Sequence, residues 1–345
     1  MASKPRIRII GAGGTIAGSG PSATSSSYEP GRVDTKDLIA SVDGLGRVAE
    51  VDVETLFSTG SEDLGPRQWL QLARRIQELS DQPDVDGIVV THGTDTLEEG
   101  AFFLDLACRS QKPVVMTAAM RASTALSPDG PANIYSAALA AADHRLGRSG
   151  VMVAINGLLL PGQQAVKTNS VAVDAFRAYP GGPAGRIVGE RLLLFGDARP
   201  EPLSGAFAHL PASKNDLPEV PVVYLHGGCG DAPLRVWRDR RCAGLVIAGF
   251  GAGTMPQPLA AAARERAAEG CVIVVSSRVS EAVVQPETMT LHVPNVLASG
   301  FLNPPKSALL LALALADGRS AAEIGQLLNQ FRGGASDSTR GALNG

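Results

Sequence analysis

Short apolar runs alternate with amphipathic stretches of helical length along almost the whole chain, and this constrains the fold more than any other feature. The runs at 6–10, 85–91, 113–117, 151–155, 222–225, 244–248 and 272–276 have strand length and strand composition. Between them, 66–80, 97–109, 131–144, 256–269, 306–316 and 321–331 carry helical periodicity. Three of these helices open on Pro66, Pro131 and Pro256. Proline suits a first turn, where its missing N–H would have no helical partner. Such alternation predicts an α/β fold, a mostly parallel sheet flanked by helices.

A chain of 345 residues exceeds what one compact core usually holds, so two domains are expected. The alternation breaks over a polar stretch bearing Pro211, Pro218 and Pro221, after which a fresh strand begins. The organisation is therefore read as a larger amino-terminal α/β domain (1–205), a linker (206–221), a smaller parallel α/β domain (222–332) and a frayed tail (333–345). That tail is rich in Gly, Ser and Ala, with little apolar bulk.

A formal net charge of -3 provides no basic face for nucleic acid or anionic lipid. The apolar run 308–316 is too short to cross a bilayer and reads as a buried helix. Cys108, Cys229, Cys242 and Cys271 are scattered without C-x-x-C spacing, so free thiols are expected rather than a disulfide framework or a zinc site. The five histidines form no H-E-x-x-H or H-x-H pattern, so metal catalysis has no support. Residues 1–6 enter a strand without an apolar signal region, which gives a cytoplasmic expectation, or a periplasmic one where a signal has been removed.

The chemistry concentrates on two strand-to-helix turns. One is Thr91-His92-Gly93-Thr94-Asp95-Thr96; the other is Gly11-Ala12-Gly13-Gly14-Thr15. In an open α/β sheet such turns lie at the carboxyl ends of strands, where ligands bind. The glycines do not make a dinucleotide fingerprint, because G-x-G-x-x-G would need glycine at Ile16. A lone threonine at a strand end is ordinarily a cap. Thr15 and Thr94 become candidate nucleophiles only with a base to take the proton. Asp95 adjoins Thr94, and Lys167, in a neutral run, is a candidate proton acceptor. His92 is a candidate base or a structural hydrogen-bonder. The small polar loop 18–31, carrying Tyr28, follows Thr15 where a lid would close.

At these residues the chain resembles the bacterial L-asparaginases of the type II-like asparaginase/glutaminase group. The resemblance runs through Gly13-Gly14-Thr15-Ile16-Ala17-Gly18, Ser22-Ala23-Thr24 with Tyr28, Gly60-Ser61-Glu62-Asp63 and Thr91–Glu99. It continues through Ala119-Met120-Arg121, Asp129–Asn133, Lys167-Thr168-Asn169, Ser276–Val279 and Ala298-Ser299-Gly300, and covers roughly residues 6–331. It implies hydrolysis of L-asparagine to L-aspartate and ammonia, with some action on L-glutamine, by a cofactor-free homotetramer assembled as a dimer of dimers. Thr15 is then the nucleophile, positioned by Tyr28, and Thr94, Lys167 and Asp95 handle the proton and the water. The substrate's α-carboxylate goes to Ser61 and its α-ammonium to Glu62 and Asp95. Backbone around Ala119 lines the amide end, and Thr254 and Glu287 are contributed by a partner subunit.

The chain also departs from that family. Glu62 stands where many relatives have Gln, Thr254 where Asn is common, and Ser80 and Ser110 where some secreted members carry a cysteine pair. Two other readings compete with this one. An ammonia-channelling amidotransferase subunit would carry a further domain before the first Gly-Gly-Thr, and an amino-acid sensor on this scaffold would lack Thr15, Tyr28 or Lys167.

Overall fold

The computed structural model describes residues 3–332 apart from Ser26, Ala198 and the side chain of Asp239. The expected tail, 333–345, lies outside the described residues. Chain contacts divide the protein into two units that meet at Asp216/Leu217.

The first unit opens with β1 (Arg6–Ala12), α1 (Thr35–Ala40), α2 (Leu45–Val48) and β2 (Glu50–Phe57). It continues with α3 (Pro66–Ser80), β3 (Gly87–Thr91), α4 (Leu97–Ala107), β4 (Val114–Thr117), α5 (Gly130–Ala141) and β5 (Val151–Ile155). Short strands follow: β6 (Leu158–Pro161), β7 (Ala165–Lys167), β8 (Phe176–Ala178), β9 (Gly185–Val188) and β10 (Arg191–Leu194), before α6 (Leu210–Ser213). The main sheet has the order β10-β9-β6-β5-β4-β3-β1-β2. Strands β2, β1, β3, β4 and β5 are parallel; β6, β9 and β10 join antiparallel.

β3, β4 and β5 are buried along their whole length, as parallel strands covered on both faces must be. One packed layer of the core joins Ile7 and Ile9 of β1 to Ile134, Ala137, Ala138 and Ala141 of α5. The small residues of α5 let that helix lie close to the sheet. The register places Gly11 of β1 opposite Thr91 of β3, so the two chemistry-bearing turns leave the sheet at the same level.

β2 was not expected. Its sequence alternates acid and apolar residues (Glu50-Val51-Asp52-Val53-Glu54), the pattern of an edge strand rather than of a buried run. The antiparallel strands β6 to β10 are three or four residues each and were likewise not expected. The stretch read as a linker is packed over its first half: Phe207 and Leu210 are buried, and Phe207 N–H donates to Leu106 O at 2.9 Å. Two apolar anchors in a proline-bearing polar segment were enough to hold it.

The second unit contains β11 (Val222–Tyr224), α7 (Ala232–Asp239), β12 (Gly244–Gly249), α8 (Gln257–Ala268) and β13 (Val272–Ser277). It closes with β14 (Val296–Ala298), α9 (Pro304–Ala316) and α10 (Ala321–Asn329). Its four strands form a wholly parallel sheet in sequence order. The apolar run 308–316 is the buried middle of α9, capped by Asn303 through the Lys306 N–H at 3.1 Å. No helix among the described residues is long and apolar enough to cross a membrane.

Candidate active site

Three turns converge at the carboxyl ends of β1, β2 and β3. Gly13 and Gly14 have φ of 76° and 84°, a region that favours glycine. They also allow a close approach: a Cβ on Gly14 would fall 2.2 Å from Gly93 Cα, and one on Gly93 would fall 2.5 Å from Ser61 Oγ. The residues that precede Thr15 and Thr94 are therefore in direct backbone contact, and Ser61 completes the triangle. Gly14 N–H donates to Thr59 O at 2.8 Å, which ties the β1 turn to the segment after β2.

Each threonine hydroxyl has its own partner. Thr15 opens a single 3₁₀ turn, Thr15–Ala17, is 5% exposed, and shares a 2.7 Å hydrogen bond with the Tyr28 hydroxyl. Tyr28 itself is 37% exposed, on the loop that follows. Thr94 is 4% exposed and accepts from Lys167 Nζ at 2.9 Å. The same ammonium donates to Asp95 Oδ1 at 2.6 Å, the lysine side chain being 16% exposed and the aspartate 58%. Because Nζ donates to Thr94 Oγ1, the threonine's own proton is free to point elsewhere.

Ser61, 2% exposed, sits in a 3₁₀ turn after β2, and its hydroxyl accepts from the Asp95 N–H at 3.2 Å. The Thr96 hydroxyl donates to Ser61 O at 2.7 Å, so this residue locks the neighbouring turn instead of capping α4 with its side chain. Glu62 is exposed on that turn, with its carboxylate lying over Gly60. Ala119 is fully buried just after β4. The following N–H groups, of Met120 and Arg121, are held by Asp129 at 3.0 and 2.9 Å.

The loop bearing Tyr28 is pinned at several points. Ser19 and Glu29 exchange backbone hydrogen bonds of 3.0 and 2.9 Å, closing the loop on itself. Ser123 donates to Gly18 O through its N–H and its hydroxyl, and Gly20 N–H donates to Thr124 Oγ1 at 2.8 Å.

The geometry of His92 suits a structural hydrogen-bonder. The residue is fully buried, its Nδ1 faces Gly93 O at 2.8 Å, and burial pushes its pKa down to about 4. The neutral ring donates to that carbonyl and stiffens the turn before Thr94. Sequence reasoning assigned no role to Glu98, which is buried and accepts from the Lys167 N–H, fixing the strand that delivers the lysine. At the start of α4 an acid reads as an ordinary first-turn residue favoured by the helix dipole, so its function left no separate signal. The pinning residues Ser123 and Thr124 were also missed.

In the second unit, Thr254 and Glu287 are both exposed. Thr254 closes a turn after β12, exchanging backbone hydrogen bonds with Phe250 at 2.8 and 2.9 Å. Thr288, next to Glu287, donates from its hydroxyl to Ala252 O at 2.6 Å, so the two turns are tied at one end of that sheet. Among the described residues no group of three or more His, Cys, Asp or Glu is arranged to hold a metal ion.

The chain is similar to known proteins over most of its length. Residues 6–199 match the model of the asparaginase amino-terminal domain, and residues 219–328 match that of the glutaminase/asparaginase carboxyl-terminal domain. The chain is 38% identical to L-asparaginase 2 of Escherichia coli (strain K12), over 95% of this chain and 93% of that one. It is 35% identical to a probable periplasmic L-asparaginase of Haemophilus influenzae, over 96% and 94% of the two chains. A crystal structure of a probable cytoplasmic L-asparaginase from Campylobacter jejuni superposes with a TM-score of 0.87 at 33% identity, covering 95% of this chain and all of that one. With two hydroxyls on abutting strand-end turns and both domain models matched in order, this chain belongs to the asparaginase family.

Proposed function

We propose a division of labour in which Thr15 is the group acylated and the Thr94–Lys167–Asp95 cluster moves protons and water. The enzyme is an L-asparaginase: it hydrolyses the side-chain amide of L-asparagine to L-aspartate and ammonia through a threonine nucleophile and an acyl-enzyme. Thr15 Oγ1 attacks the amide carbon, and Tyr28 holds that oxygen in line and shares its proton. The Thr94 N–H stabilises the oxyanion. Ammonia leaves with a proton relayed through the Thr94–Lys167 pair, and the same pair then orients the water that releases aspartate.

Ser61 takes the α-carboxylate, Glu62 and Asp95 take the α-ammonium, and backbone at Ala119 lines the amide end. Charged groups at both ends favour a free amino acid over a peptide, because a missing partner leaves a desolvated ion unpaired. L-Glutamine is a side substrate; one methylene changes pocket affinity by only about 1–3 kcal/mol. The enzyme works as a homotetramer, a dimer of dimers, in which Thr254 and Glu287 act across a subunit boundary. The cytoplasm is its compartment. No nucleic acid, membrane or cofactor takes part.

The observation that carries this reading is the separate hydrogen-bonding of the two hydroxyls, Thr15 to Tyr28 and Thr94 to Lys167. The test is steady-state ammonia release from both amides by the purified chain and by Thr15→Ala. Turnover that vanishes in the folded variant supports the assignment; full turnover refutes it. Light scattering of the eluted enzyme tests the tetramer, and cell fractionation tests the compartment.

A further inference from the structure

Two cysteines that are 29 residues apart in sequence meet where β12 and β13 begin. The parallel register pairs Gly244 with Val272, and Val272 N–H donates to Ala243 O at 2.9 Å, so Cys242 and Cys271 flank the same point of the sheet. Residues offset by one between neighbouring strands have Cα atoms roughly 6 Å apart, the separation a disulfide spans. Arg241, with φ of 52°, turns the chain just before Cys242. The Cys242 thiol donates to Trp237 O at 3.5 Å and the Cys271 thiol to Val272 O at 3.9 Å, and both residues line a cavity of about 600 Å³ together with Arg238, Arg241, Arg266 and Glu269.

Arginine side chains crowd this cavity. Arg266 is 6% exposed; it donates to Glu269 at 2.7 Å and to Cys242 O at 3.0 Å, with its Nη2 also 3.7 Å from Cys242 Sγ. Its Nε is buried without a partner among the described residues, so the guanidinium retains an unmet capacity to bind an anion. Glu269 is shared with Arg238 at 2.5 Å, leaving two guanidiniums on one carboxylate. A half-buried sulfur in electropositive surroundings is the kind that reacts. Cys271 is 3% exposed, so peroxide reaches the Cys242 sulfur first and leaves Cys271 as the second, resolving thiol.

We infer that Cys242 and Cys271 form an oxidative modification site, at which a small peroxide converts the thiol pair to a disulfide. The Cys242 thiolate attacks one peroxide oxygen, the O–O bond breaks, and hydroxide leaves, taking a proton to become water. The resulting Cys242 sulfenic acid is attacked by Cys271, forming the S–S bond and expelling a second water. Two thiols are oxidised by two electrons while one hydrogen peroxide is reduced to two waters.

The test uses the full-length, fully reduced protein treated with stoichiometric hydrogen peroxide and mapped by non-reducing peptide mass spectrometry. The expected result is a loss of two hydrogens, reversed by a thiol reductant, with a cross-linked peptide joining Cys242 to Cys271. Cys108→Ser and Cys229→Ser retain the cross-link; Cys242→Ser abolishes it. In Cys271→Ala given a second equivalent of hydrogen peroxide, Cys242 goes on from sulfenic to sulfinic acid because nothing resolves it. The inference is overturned if the wild type gives no 242–271 cross-link, if Cys108 or Cys229 is the oxidised residue, or if Cys242 over-oxidises equally with Cys271 present.

Discussion

The Thr15 turn and the Thr94 turn stand side by side at the end of one sheet, yet they are built differently. Thr94 rests on a fully buried strand, over a buried neutral His92, and meets an ammonium that Asp95 and the fold hold in place. Thr15 rests on glycines, and its recorded side-chain partner is a half-exposed phenol carried on a loop. One hydroxyl is organised by the scaffold; the other is organised by the lid. A nucleophile that is aligned only when its lid is shut couples attack to exclusion of water.

That contrast can be broken most severely at Thr15, the proposed nucleophile. Thr15→Ala is expected to lower kcat for L-asparagine by roughly 10⁴-fold or more with an unchanged circular dichroism spectrum, since no neighbouring hydroxyl occupies its place. Next comes the proton-handling group: Lys167→Met should cost about 10³- to 10⁴-fold in kcat with a small change in KM. Tyr28→Phe should cost less, about 10²-fold, because the loop still closes and only alignment is lost. If Tyr28→Phe proved the more damaging of the two, the contrast between scaffold-held and lid-held hydroxyls would be wrong. Ser61→Ala should leave kcat nearly intact and raise KM about 10- to 100-fold, the loss of one hydrogen bond to a charged group.

The smallest effect on turnover, and the sharpest test of the rigid side, is a pH dependence of stability. His92 has a folded pKa near 4, against an ordinary 6.5, so the unfolded chain takes up the proton first as pH falls. Its contribution to stability is therefore lost between pH 6.5 and 4. At the far end of α4, Asp105 is buried and pushed up to about 6, against the pull of Gln163, Val151 and Ser204. Here the unfolded chain releases its proton first as pH rises, so stability is lost between about pH 3.8 and 6. The two slopes oppose each other. Asp105→Asn removes the second, and its Tm should fall more steeply than the wild type's from pH 6.5 to 4, by up to about 3 kcal/mol in stability. Parallel Tm profiles would contradict both assignments.

The rigid side was also the more legible in sequence. Val85 to Thr91 is an apolar run bounded by a polar turn and a periodic helix, and each of those signals is local. The lid was legible as a small polar loop, but its pins were not, because Ser123 and Thr124 reach it across about a hundred residues. Lys167 could be nominated but not placed: the three-residue strand that carries it is too short to show a period, and Glu98, which fixes it, looks like any first-turn acid. β2 was hidden by the acids of an edge strand. The cysteines were read as four scattered thiols, because their meeting depends on the register of β12 and β13, which no spacing encodes. Signals confined to one element survive in sequence, and those made by two elements appear only in the fold.

The central claim is that Thr15, not Thr94, becomes acylated. Rapid acid quench of the enzyme mixed with excess L-asparagine, followed by peptide mass mapping, tests this directly, because it traps the acyl-enzyme present during turnover. An aspartyl adduct on the peptide containing Thr15, and on no other, is the predicted result. An adduct on the peptide containing Thr94 would contradict the account.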